Sequence, residues 1–212
     1  MRALILIDLQ NDFMPGGALA VPEGDEVVPV ANRLADRFDL VVASQDWHPA
    51  GHGSFASSHP GKKPLEEIHL DGLRQTLWPD HCVQGTHGAE LHPDLNAARI
   101  ARVVQKGADP KVDSYSAFFD NAERHRTELD EFLRSRNVRE LVVMGLATDY
   151  CVRATVVDAA RLGYRVAVAV DGCRAIANPE LALREMRATG AAIRSSDQLD
   201  SAFLSTFPAA RT

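Results

Sequence analysis

LVVMGLATDYCVRATVVDAARLGYRVAVAV, residues 141–170, decides the fold. An apolar run, Leu141 to Met144, leads through Gly145 into a helix-period stretch from Asp149 to Leu162. Gly163 then stops the helix, and a second apolar run follows from Val166 to Val170. Neither run alternates with polar residues, as expected of parallel strands buried on both faces, and the segment between them reads as the crossover helix.

The same alternation extends outward in both directions. Ala3 to Ile7 precedes a helical stretch from Asp25 to Phe38, and Leu40 to Ala43 reads as the next strand. Ala101 to Val104 precedes Thr127 to Arg136, and Pro179 to Thr189 precedes Ala191 to Arg194. Asn178 before Pro179 is a cap followed by proline at the first helical position, and Gly190 is a stop. The expectation is a doubly wound α/β domain over residues 1–212, with a mostly parallel sheet of six strands flanked by helices. Residues 45–98 and 107–122 stay irregular, and loops that long are usually functional or disordered.

Composition narrows the partners. A 212-residue chain with 45% hydrophobic and 25% charged residues can bury a sizeable core. The formal charge of -6 carries no footprint for nucleic acid or an anionic membrane. The first apolar stretch ends at Asp8, too early for a signal sequence or membrane span. Three cysteines argue for reduced thiols rather than a disulfide framework. A cytoplasmic protein with a small-molecule ligand is expected, and a homo-oligomer is compatible with this reading. No Gly-x-Gly-x-x-Gly follows the first strand and no P-loop is present, which disfavours a dinucleotide.

In an open parallel sheet, ligands bind beyond the carboxyl ends of the strands. Asp8 leaves the first strand, Ser44 to His48 the second, Lys106 the third, Gly145 to Cys151 the fourth and Asp171 the fifth. With Thr148 as cap, Cys151 lies three positions into its helix, where the free N–H groups and the dipole favour a thiolate. A neighbouring Lys106 would lower its pKa further, Asp149 would oppose this, and a buried inert cysteine is the plain alternative. Asp8, partly desolvated at the sheet edge, suits proton transfer, although a turn-capping role fits it too.

Seven of the eight histidines fall between His48 and His92. Asp46-x-His48 and His81 supply a carboxylate and two imidazoles, a set suited to zinc, iron or manganese with coordination positions left open. His52 and Cys82 rank behind them. The aromatics Phe13, Trp47, Trp78, Tyr115, Phe118 and Phe119 could wall a pocket for a flat ring, or simply pack.

Five stretches, LILIDLQNDFMPGGAL, ASQDWHPAGHGSFA, LWPDHCVQGTHGAELHP, VVQKGADPKVDSYSAFFDN and VMGLATDYCVRATVVDAARLGY, together resemble the nicotinamidases, also called pyrazinamidases, of the isochorismatase-like cysteine hydrolases. The resemblance implies a six-stranded parallel sheet and hydrolysis of nicotinamide to nicotinate and ammonia in NAD salvage, with pyrazinamide as a further substrate. It assigns a triad of Asp8, Lys106 and Cys151, and a divalent metal, zinc ahead of iron or manganese, on Asp46, His48 and His81, with no organic cofactor. It implies a cis peptide between Leu146 and Ala147, with the backbone N–H groups of Ala147 and Cys151 as the oxyanion hole. Phe13, Trp78, Tyr115, Leu146 and Ala147 would meet the substrate. Rival readings are a carbamoyl-amide hydrolase sharing the triad, and a non-catalytic metal-binding or redox-sensing thiol protein.

Overall fold

Apolar runs with no polar alternation become the centre of a parallel sheet, because both faces of such strands must be covered. The computed structural model describes residues 1–199. In chain order the strands are β1 (Arg2–Ile7), β2 (Val41–Asp46), β3 (Glu67–Leu70), β4 (Leu73–Thr76), β5 (Arg102–Lys106), β6 (Glu140–Leu146), β7 (Arg165–Arg174) and β8 (Ala192–Arg194). Six of them form one sheet in the order β5-β2-β1-β6-β7-β8, with every pairing parallel. All seven residues of β6 are buried, as are five of the six in β1. The helices are α1 (Val27–Ala35), α2 (Leu129–Ser135), α3 (Arg153–Arg161) and α4 (Pro179–Ala188). Asn178 caps α4 by accepting from the Glu180 N–H at 2.9 Å, with Pro179 inside the cap as expected. No helix among the described residues is long and apolar enough to cross a membrane.

The chain lays down β1, β2 and β5 to one side, then returns to build β6, β7 and β8 on the other. The order therefore reverses at β1, and the crevice at the carboxyl ends flanking it is where a ligand fits this architecture. The strands run further than their apolar cores suggest. β2 continues through Ser44 and Gln45 to Asp46, because β5 pairs with it up to the register partners Asp46 and Lys106. Two of the polar residues expected beyond the strands are thus their last members, held by the ladder.

Two local expectations differ from the structure. Residues 45–98 are not wholly irregular: β3 and β4 pair antiparallel across Asp71-Gly72, both with positive φ. An Asp-Gly pair between extended segments is a hairpin signal, since the turn needs left-handed backbone at both positions. Nor does Thr148 cap a regular helix. The segment Thr148–Val152 is a π-helical turn, and Ala147 occupies the cap position, its carbonyl taking the N–H groups of Tyr150 and Val152.

Gly145 sits where β6 closely approaches β1. It pairs with Ile7, has φ of 125°, and a Cβ there would overlap the Ile7 carbonyl oxygen. Gly145→Ala is therefore expected to cost about 3 kcal/mol. That corresponds to a fall in Tm of about 6–12 °C for a chain of this size, and an unchanged thermal unfolding curve would contradict it.

Candidate active site

Three strand ends deliver a buried charge cluster. Asp8, the first residue after β1, sits in left-handed backbone at φ 51°, a conformation Asp tolerates better than most residues. Ser44 holds it from both sides: its hydroxyl donates to Asp8 Oδ1 at 2.6 Å and accepts the Asp8 N–H at 3.2 Å. Lys106 closes β5 with its ammonium fully buried. The Nζ lies 2.9 Å from Asp8 Oδ2 and 2.5 Å from Asp46 Oδ1. It also donates to the Ser114 carbonyl at 2.9 Å and approaches Cys151 Sγ at 3.5 Å. Ligand atoms of Asp8, Asp46 and Cys151 all lie within 4.8 Å of one another.

The electrostatics correct one expectation. Burial pushes the Cys151 thiol well up, the Asp8 and Asp46 carboxylates push the same way, and Lys106 opposes without prevailing. The balance favours the protonated sulfur over the thiolate that its place near a helix start suggested. Desolvation and two adjacent negative charges outweigh one ammonium and a partial dipole. Burial, with Asp46 beside it, also lifts the Asp8 carboxyl above its ordinary value against the pull of Lys106 and Ser44. For Asp46 burial acts upward but Lys106 wins, so this carboxylate stays ionised. Burial likewise works against the charge of Lys106, and Asp46 and Asp8 more than restore it. Among the described residues, Asp8 Oδ2 is held by the Lys106 ammonium alone, and a carboxylate oxygen of Asp8 lies within 4.8 Å of Cys151 Sγ.

Asp46 also faces a second group. His48 Nδ1 is 2.8 Å from the Gly107 carbonyl and His81 Nδ1 is 2.8 Å from the Pro79 carbonyl. A carbonyl only accepts, so each Nδ1 carries the proton and each Nε2 of a neutral ring presents a lone pair. Those two atoms lie 3.8 and 4.0 Å from Asp46 Oδ2. Burial, then His48, holds His81 below the usual imidazole range, favouring the neutral ring. Three buried acceptors converging within 4.8 Å repel one another unless a cation lies between them, so the donor set fits a divalent metal. His52 is occupied elsewhere: Nδ1 meets Ser54 Oγ at 2.8 Å and Nε2 the Asp109 carbonyl at 2.7 Å. Cys82 is fully buried outside the cluster.

A narrow cleft opens onto both groups. Phe13, Trp78, Tyr115 and Ala147 line it with Asp46, His81 and Cys151. Trp78 donates through Nε1 to the Tyr115 hydroxyl at 3.3 Å, and its ring meets that of Tyr150 edge-on at 4.8 Å. Leu146 differs from expectation: it ends β6 with its side chain fully buried and does not line the cleft. The Leu146–Ala147 peptide is cis. Asp171 is absent from the site and holds the Ser196 backbone and hydroxyl instead. Sequence reasoning missed Leu19, Asp113, Tyr150 and Ile176 as lining residues. Of these, Tyr150 had a signal, since it shares the turn that carries Cys151.

Comparison with known proteins places this arrangement among relatives. The nicotinamidase of Escherichia coli K12 is 59% identical over 200 residues, covering 91% of this chain and 93% of that protein. A nicotinamidase and pyrazinamidase of Acinetobacter baumanii superposes with a TM-score of 0.91 at 44% identity, over 94% of this chain and 98% of that one. A pyrazinamidase of Pyrococcus horikoshii in complex with zinc gives 0.76 at 38% identity, over 92% and 98%. Residues 2–198 match the isochorismatase domain, and on that extent of agreement in sequence and fold the chain belongs to the isochorismatase-domain family.

Proposed function

We propose that this protein hydrolyses nicotinamide to nicotinate and ammonia, and pyrazinamide to pyrazinoate, through a thioester on Cys151, with one domain carrying the whole site. The observation that carries the reading is the meeting of Cys151 Sγ, the Lys106 ammonium and the Asp8 carboxylate at one end of the cleft. Asp8 takes the thiol proton as the sulfur attacks the carboxamide carbon, so the thiolate exists only as it is consumed. The raised carboxyl pKa suits this exchange, because proton transfer works best between groups of matched affinity. The backbone N–H groups of Ala147 and Cys151 receive the oxyanion, an interaction worth about 2.7–4 kcal/mol per donor. Asp8 then gives its proton to the departing nitrogen, and ammonia leaves a thioester. Next it takes a proton from the water that attacks the thioester carbonyl, and returns it to sulfur as nicotinate departs. Lys106 stays charged throughout, holding Asp8 in place and favouring each anionic stage.

Asp46 Oδ2, His48 Nε2 and His81 Nε2 would hold a divalent metal, which we assign as zinc, with iron or manganese meeting the same donors. When bound, such an ion supplies a Lewis-acidic anchor for a ring nitrogen. Phe13 and Trp78 enclose the ring, and Tyr115 borders it.

Purified protein incubated with nicotinamide is expected to release ammonia and nicotinate in equal amounts. Alkylation of Cys151 by iodoacetamide, slowed by nicotinamide, should end the release. No ammonia from nicotinamide, with ammonia from another amide, would overturn the assignment.

A further inference from the structure

One buried charge in the cleft has no part in the reaction derived above. Asp113 is 3% exposed and lines the cleft with Trp78, Tyr115 and Cys151. Its Oδ1 accepts the Ser114 N–H at 2.7 Å and its Oδ2 accepts from Gln75 Nε2 at 3.0 Å. Both are neutral donors, so they orient the carboxylate without cancelling its charge. Gln75 is itself buried and lies in β4. The same amide reaches the Tyr115 hydroxyl at 3.2 Å. The hairpin that interrupts the long loop thus fixes a negative group in the wall of the cleft.

Such a group treats substrate and product differently. A carboxamide is neutral and can donate hydrogen bonds to a carboxylate. The acid formed from it is an anion at neutral pH and can only accept. Two negative charges in one poorly solvated cleft repel, whereas a neutral ligand escapes that cost. We propose that Asp113 is a specificity residue that discriminates by charge, admitting neutral aromatic carboxamides and weakening the hold on the aromatic carboxylate product. This rests on the amidase reading above.

The test compares nicotinate with nicotinamide in the Asp113→Asn protein. Asparagine keeps the shape and can still accept from Gln75 or from the Ser114 N–H through its one carbonyl oxygen. Gln75 is itself fixed by also donating to the Thr76 carbonyl at 2.7 Å. The ratio of the nicotinate inhibition constant to the nicotinamide KM is expected to fall about tenfold on loss of the charge. Direct titration with nicotinate should show tighter binding, whereas damage to the pocket would loosen both ligands together. Asp113→Glu, which keeps the charge, should hold the ratio near its original value, and Asp113→Ser should lower it if the asparagine variant fails to fold. A ratio unchanged or raised in the uncharged variants overturns the inference. Absence of nicotinamide hydrolysis by the unaltered protein overturns the amidase reading instead, so the two failures are distinct.

Discussion

Cys151→Ala is expected to lower kcat for nicotinamide by about 10⁴-fold or more, the scale seen when a covalent nucleophile is removed. The substitution deletes one sulfur atom from a site only 7% exposed, so the fold should change in stability by about 1 kcal/mol at most. Substrate should still bind, since the aromatic walls and the Asp46, His48 and His81 group are untouched. The informative experiment pairs turnover with calorimetric binding: rate lost and affinity kept. A variant turning over within about tenfold of the original rate would remove the sulfur from the reaction.

Lys106→Met should have the larger effect on the molecule itself. Methionine matches the stem of the lysine but supplies no charge, leaving Asp8 and Asp46 buried beside each other without their shared partner. Breaking a buried ion pair from one side costs about 3–5 kcal/mol, or about 6–20 °C in Tm at this chain length. The pH dependence gives the sign. Lys106 pulls both carboxyls down, so without it both rise in the folded state. A carboxyl whose folded pKa exceeds its unfolded value stabilises the fold at low pH and loses that contribution as pH rises through the folded pKa. The deficit should therefore be greatest near pH 8 and shrink toward pH 5. Any residual activity should have its acid limb displaced upward, because Asp8 must be ionised to act. Adding Asp46→Asn should recover part of the lost stability. A single variant melting within about 2 °C of the original protein at pH 8 would contradict the account.

The sheet was legible because both-face burial leaves an unmistakable trace: Leu141 to Met144 and Ala3 to Ile7 contain no polar residue to suggest a solvent-facing side. The meeting of Asp8, Asp46, Lys106 and Cys151 followed from architecture, since residues at the carboxyl ends of neighbouring parallel strands have little choice but to face one crevice. The protonation state of Cys151 was not legible. Position near a helix start indicates a partial positive charge, but the desolvation and the two carboxylates that outweigh it appear only in three dimensions. The β3–β4 hairpin was written in Asp71-Gly72 and was obscured by the surrounding histidines and prolines. Leu146 illustrates a further limit, since adjacency to Ala147 in the chain does not bring a strand-end side chain out of the core. Asp113 carried no signal at all, because its place in the wall depends on Gln75, 38 positions earlier.

Asp46 gives one oxygen to Lys106 and turns the other toward His48 and His81. It is a hinge pin common to two mechanisms that would otherwise be separable parts. Altering that side chain to retune the proposed ion site would simultaneously disturb the countercharge of Lys106. Laboratory evolution toward a different ion should therefore leave position 46 alone and work through the carbonyls of Gly107 and Pro79 that aim the imidazoles.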